Sequence, residues 1–156
     1  MENGSKIIVC YNSYRDAIYG PLSTYSNFPV TIDDVEYATA EHAIQVLRAL
    51  LVAKTELAEK LMFKKTAHSC NRLGEAAYES YDAIEKLIWE ENKLDILYTV
   101  LRQRIEQNEG VRDCLIKSVG TTLYCFDPRK NSINDMKINL IGTIQTCLRD
   151  ELLLKK

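Results

Sequence analysis

Apolar residues recur along this chain with two different periods, and the changes of period mark where strands give way to helices. Lys6-Ile7-Ile8-Val9-Cys10-Tyr11 is a short apolar run that reads as a buried strand. A loop rich in Tyr, Ser and Gly follows from Asn12 to Tyr25, punctuated by Gly20-Pro21. Phe28 to Ile32 and Val35 to Ala38, split by Asp33-Asp34, read as a hairpin. From Thr39, a good N-cap, the spacing becomes helical: Ile44, Leu47 and Leu51, with Val46 and Leu50 alongside, mark one face as far as about Ala53. Thr55 is expected to cap a second helix toward Phe63, and a third spans Thr66 to Ala77. The longest helix starts near Asp82 and runs to about Gln107, with Leu87, Leu94, Leu97, Leu101 and Ile105 on one stripe. Asn108-Glu109-Gly110 interrupts it, and a helix resumes from Val111 to Val119. Thr121 to Phe126 reads as another strand, Asp127 to Lys137 as a polar loop, and Ile138 to Leu154 as a closing amphipathic helix. The pattern predicts one α+β domain over residues 1–156, mostly helical with a small sheet.

Composition narrows the function classes. A formal net charge of −2 gives no footprint of a non-specific polyanion binder, although a protein that engages one nucleotide or a nucleic-acid end stays possible. No apolar run approaches the ~20 residues of a membrane span, so no membrane partner is expected. The polar start Met1-Glu2-Asn3-Gly4-Ser5-Lys6 lacks the apolar region of a secretory signal, which predicts a cytoplasmic protein. The five cysteines are odd in number and form no C-x-x-C pair, so reduced, buried thiols are expected. His42 and His68 are too far apart for a local zinc motif, and no metal site is expected.

Candidate chemistry concentrates in Thr39-Ala40-Glu41-His42-Ala43-Ile44-Gln45. This stretch puts a carboxylic acid, an imidazole and an amide at the start of an apolar helix. The positive end of the helix dipole favours the ionised form of Glu41. An acid/base site and a plain helix cap both fit that pattern. Tyr11, Tyr14, Tyr19, Tyr25 and Phe28 either make a stacking wall for a ring or fold the N-terminal loop back onto the domain. Trp89, the one tryptophan, is either a large core residue or the clamp of a base. Asp127-Pro128-Arg129-Lys130-Asn131 is either a solvated turn or a carboxylate at a strand end with cations for phosphate. His68 reads as a packed or surface histidine. No phosphate-cradling P-loop, dinucleotide glycine fingerprint or serine triad is present.

Read in order, these pieces resemble a known family. Tyr19-Gly20-Pro21-Leu22-Ser23, Phe28-Pro29-Val30-Thr31-Ile32-Asp33 and Glu36-Tyr37-Ala38-Thr39-Ala40-Glu41-His42-Ala43-Ile44-Gln45 are similar to the opening of the NADAR, or YbiA-like, family. Its pattern there is roughly Y-G-x-[FL]-S-N-F, a hairpin, then Y-P-T-x-E-H-x-x-Q. Arg72-Leu73-Gly74 resembles the x-L-G-R segment, Trp89-Glu90 the W-E helix, and Glu106-Gln107-Asn108-Glu109-Gly110-Val111-Arg112 the F-x-Q-N-x-x-[LF]-R turn. Asn139-Leu140-Ile141-Gly142 resembles the N-x-L-G that opens the last helix. The similarity covers nearly the whole chain.

The resemblance implies an α+β, mostly helical fold and an N-glycosidase that needs no metal or cofactor. Members hydrolyse the C–N bond of ribosylamino-pyrimidine phosphates or remove ADP-ribose from modified guanine bases. The expected partner is therefore a small nucleotide-type substrate or an ADP-ribosylated guanine in nucleic acid. Glu41 corresponds to the essential glutamate and Trp89 to the pocket tryptophan. His42, Gln45, Tyr19, Gly20 and Asn139 are further expected substrate contacts. Four departures stand out. S-N-F is Ser23-Thr24-Tyr25 here, and Y-P-T is Tyr37-Ala38-Thr39. The family's D-x-x-W-G lacks its tryptophan and glycine, leaving Asp127 and Asp135 as candidates for its carboxylate, with Asp127 favoured because it directly follows the strand. Lys137, the candidate for the family's imine-forming lysine, precedes Asn139 by two residues rather than one. The altered loop keeps a second expectation in play, a catalytically weak module that binds or sequesters an ADP-ribose-type nucleotide.

Overall fold

The hairpin shows how local chemistry and a long-range contact share the work. In the computed structural model, which describes residues 18–125 and 139–155 and the backbone of 6–9, it consists of β2 (Val30–Ile32) and β3 (Val35–Tyr37). The two strands pair antiparallel, with Thr31 opposite Glu36. Asp33 and Asp34 both take positive φ, 50° and 66°, as a two-residue hairpin loop of the mirror-image type requires. Val30, Ile32 and Tyr37 face the core, while Thr31 and Glu36 face out. The open edge of β2 is closed by a side chain. Gln107 donates from Nε2 to the Thr31 carbonyl and accepts the Thr31 N–H at Oε1, each at 2.7 Å. Asn108 Nδ2 adds a bond to the Pro29 carbonyl at 2.9 Å. The Gln-Asn pair therefore covers an unpaired edge, which would otherwise invite another strand.

A second pair, β1 (Lys6–Val9) with β4 (Thr121–Tyr124), runs parallel. Six helices are found among the described residues: α1 (Ala40–Leu51), α2 (Thr55–Met62), α3 (Ala67–Glu79), α4 (Ala83–Gln107), α5 (Glu109–Lys117) and α6 (Leu140–Leu154). Small residues of α1, Ala40, Ala43 and Ala49, are fully buried. That permits close approach of the helices that pack on it, α2, α3 and α4. The core continues through Val100, Leu101 and Ile105 of α4, Val111 and Leu115 of α5, Leu123 of β4, and Ile144 and Leu148 of α6. The α+β, mostly helical architecture is the one expected.

Differences lie in detail. Lys54, not Thr55, is the N-cap of α2 and supplies no side-chain bond. The α4 stripe holds only in its second half: Leu97, Leu101 and Ile105 are buried, but Leu87 and Leu94 face out. The first half of α4 meets its neighbours through Trp89 instead, because the 25-residue helix runs past the part of the core that would cover those leucines. The break after α4 is a single residue, Asn108, with Glu109 and Gly110 already in α5. Cys70 and Cys114 are buried, as expected, but Cys147 is exposed on α6. Among the described residues no helix is long and apolar enough to cross a membrane.

Candidate active site

Glu41 enters the fold already oriented. Thr39 caps α1, its Oγ1 accepting the His42 N–H at 3.2 Å. The N–H of Glu41 itself, one of the donors that a helix start leaves without an internal partner, bonds the Thr24 carbonyl at 3.1 Å. Its side chain is 6% exposed. Oε1 accepts from Gln45 Nε2 at 2.9 Å, one turn along the same helix, and from Asn71 Nδ2 of α3 at 2.8 Å. Oε2 has one long contact, 3.3 Å from Thr24 Oγ1. The carboxylate thus has one oxygen saturated with amide donors and one largely unspent. Three donors and the helix dipole compensate the negative charge where water is scarce.

Each donor is itself held. Arg48 Nη2 donates to Gln45 Oε1 at 2.6 Å, which fixes the Gln45 amide with its nitrogen toward Glu41. The same Arg48 nitrogen lies 3.1 Å from Glu75 Oε1. Its guanidinium sits 4.6 Å above the Tyr78 ring and 5.5 Å from that of Trp89, a cation–π arrangement on both. Gly74 leaves the room: a Cβ there would lie 1.9 Å from Gln45 Oε1. The Thr24 loop is held from the other side of the molecule. Arg104 of α4 donates from Nη2 to the carbonyls of Pro21 and Ser23 and to Ser26 Oγ. Gln145 of α6 donates to the Leu22 carbonyl at 2.9 Å. Burial first, and then the nearby Glu41 charge, push the Cys70 thiol up to about 12, so it stands beside the carboxylate as a neutral group.

The expected site residues divide into those gathered around Glu41 and those used elsewhere. Gln45 touches Glu41 directly. Trp89 is buried at 5% exposure and reaches the site through Arg48. His42 is fully buried and has neither ring nitrogen to spare. Its Nε2 donates to the Lys64 carbonyl at 2.8 Å, and its Nδ1 accepts from Thr39 Oγ1 at 2.8 Å. Geometry gives it the work of fastening the start of α1 to the end of α2. Tyr19 and Gly20 open the 3₁₀ turn Gly20–Leu22 that leads into the Thr24 loop. Asn139 is spent on β4, donating to the Leu123 carbonyl and accepting the Cys125 N–H, both at 2.8 Å. Gly142 permits this, since a Cβ there would lie 2.3 Å from Asn139 Oδ1. Asp127, Asp135 and Lys137 lie outside the described residues, as do Tyr11 and Tyr14. Tyr25 packs edge-on against His68, with ring centroids 4.7 Å apart. Among the described residues no group of three or more His, Cys, Asp or Glu side chains is placed to hold a metal ion.

Residues 10–131 match the family model for the NADAR domain. The chain belongs to the NADAR family. Its fold is similar to the NMR structure of the Escherichia coli protein YbiA, with a TM-score of 0.74 and 22% identity, over 97% of this chain and 88% of that one. No curated protein matches the chain. Within this NADAR domain, Thr24, Arg48, Asn71, Gly74 and Glu75 also gather around Glu41; the sequence assigned none of them to the candidate site, although Thr24 and Gly74 stand in the quoted motifs. One signal was available for Arg48. Glu41, Gln45 and Arg48 fall at i, i+4 and i+7, a polar line on one face of an otherwise apolar helix.

Proposed function

We propose that this chain is an N-glycosidase that hydrolyses the C–N bond between a ribose and a base. The substrate is a ribosylamino-pyrimidine phosphate or an ADP-ribosylated guanine. The reading rests on family membership and on one observation, the asymmetric anchoring of Glu41, with Oε1 held by two amides and Oε2 nearly free. Breaking a ribosyl C–N bond builds positive charge on the sugar carbon and negative charge on the departing base. A fixed, ionised carboxylate oxygen stabilises that carbon most when it need not reorganise as the charge develops. The amide donors keep Glu41 in place without competing for Oε2.

The test is release of free base and free sugar, followed by mass spectrometry, with both substrates offered side by side. Wild-type protein is expected to release base, and Glu41→Gln to lose at least about 100-fold in turnover while staying folded. Tight binding of an ADP-ribose nucleotide with no release by wild type would replace the enzyme reading with that of a binding module.

A further inference from the structure

Gln45 Nε2 carries two carboxylates at once. It donates to Glu41 Oε1 at 2.9 Å and to Glu75 Oε1 at 3.3 Å, so the two acceptor oxygens lie no more than about 6 Å apart and a single amide orients both carboxylates. The two acids differ in exposure. Glu41 is 6% exposed, whereas the Glu75 side chain is 53% exposed. Glu75 is fixed at one oxygen only, by Arg48 and Gln45; among the described residues its Oε2 makes no hydrogen bond. Arg48, paired with Glu75 and stacked on Tyr78 and Trp89, places one positive charge beside the two carboxylates.

We propose that Glu75 is the second carboxylate of the site, the group that carries the proton of the attacking water. The proposal rests on the N-glycosidase reading. Water gives a proton to Glu75 Oε2, and its oxygen pair forms the new bond to the sugar carbon. The C–N pair leaves on the base nitrogen, which then takes the proton from Glu75. The products are a sugar with a hydroxyl at that carbon and a base with an N–H, and Glu75 returns ionised. The exposure difference assigns the roles. The buried, three-fold anchored Glu41 faces the developing cation, and the half-exposed Glu75 meets water.

Glu75→Gln keeps an oxygen to accept from Gln45 and Arg48, so the network survives while the proton carrier is gone. With a substrate that wild type turns over in a Glu41-dependent manner, Glu75→Gln is expected to lower kcat about 100-fold or more, with KM within about 3-fold. Sodium formate should restore part of the turnover of Glu75→Ala and none of that of Glu41→Ala, a response that a merely structural anchor would not give. Glu41-dependent turnover that stays within about 3-fold in Glu75→Gln overturns the assignment. So does a loss in Glu75→Ala that formate leaves unchanged, which would make Glu75 only the anchor of Arg48. No release from either substrate by wild type overturns the glycosidase reading itself, and the role of Glu75 with it.

Discussion

Gly74→Ala tests the anchoring network without touching a charged group. The new Cβ would lie 1.9 Å from Gln45 Oε1 and 2.6 Å from its Cδ. The amide is 3% exposed and pinned at both ends, by Arg48 at 2.6 Å and Glu41 at 2.9 Å. To admit the methyl group it must leave that position and give up both bonds. Each has a charged partner and contributes about 1.5–3 kcal/mol. Alanine returns about 1 kcal/mol over glycine in the middle of a helix. The expected net loss is roughly 2–5 kcal/mol, read from urea denaturation midpoints at unchanged slope. The decisive comparison is the same substitution in a Gln45→Ala background, where the three atoms nearest the new Cβ are gone. There Gly74→Ala should stabilise by about 0.5–1 kcal/mol, the helix-propensity term alone. A Gly74→Ala effect that is equal in the two backgrounds, to within about 0.5 kcal/mol, would falsify the network as drawn.

Three further outcomes follow from particular residues. Ala53 ends α1 at φ 58° in a Schellman arrangement, its N–H on the Leu50 carbonyl and that of Lys54 on the Ala49 carbonyl, so Ala53→Gly should raise the urea midpoint by the equivalent of about 0.5–1 kcal/mol. The Cys70 thiol is raised to about 12 when folded but ionises near its ordinary ~8.5 when unfolded. The folded state therefore holds this proton more tightly. Stability is full below about pH 8.5 and falls as pH rises from there toward 12. Cys70→Ala should flatten that fall between about pH 8.5 and 10, below the range in which the raised hydroxyls of Tyr37 and Tyr81 titrate, and parallel curves for the two proteins would contradict it. Arg104→Met keeps the unbranched stem but removes the nitrogen that serves the acceptors of Pro21, Ser23 and Ser26. It should cost about 2–4 kcal/mol and speed proteolysis in the 20–26 loop, while equal cleavage rates would contradict it.

Periodicity located the helices and strands because each buries one face, and burial writes its period into the chain. It misread Leu87 and Leu94 for the same reason. A helical stripe shows which residues share a face, not how far along the helix a neighbour covers it. The Thr55 expectation failed differently: a hydroxyl at a helix start is a candidate cap, but here it sits one residue inside, with Lys54 at the cap position. The Gln107-Asn108 pair was visible as a motif, yet its task, covering the open edge of β2, joins residues 76 positions apart. No local pattern carries that information.

The site shows the same division more sharply. Glu41 was readable because a helix start has its own sequence chemistry, Thr at the cap and an acid in the first turn. His42 lay in the same stretch and invited the same reading, but the Lys64 carbonyl, which accepts from Nε2, and the Thr39 hydroxyl, which donates to Nδ1, spend both its nitrogens on holding the helix. The orientation of Glu41 comes from elsewhere: Thr24 from a loop set by Arg104 on α4, Asn71 from α3, and Gln45 in a space that Gly74 leaves open. A buried carboxylate survives only where its donors are complete. A working one must in addition keep an oxygen free. Concentrating the amide donors on Oε1 meets both demands together. It also explains why the residues that decide the chemistry of this helix start include small and neutral ones, Gly74 and Asn71, that a search for acids and bases passes over.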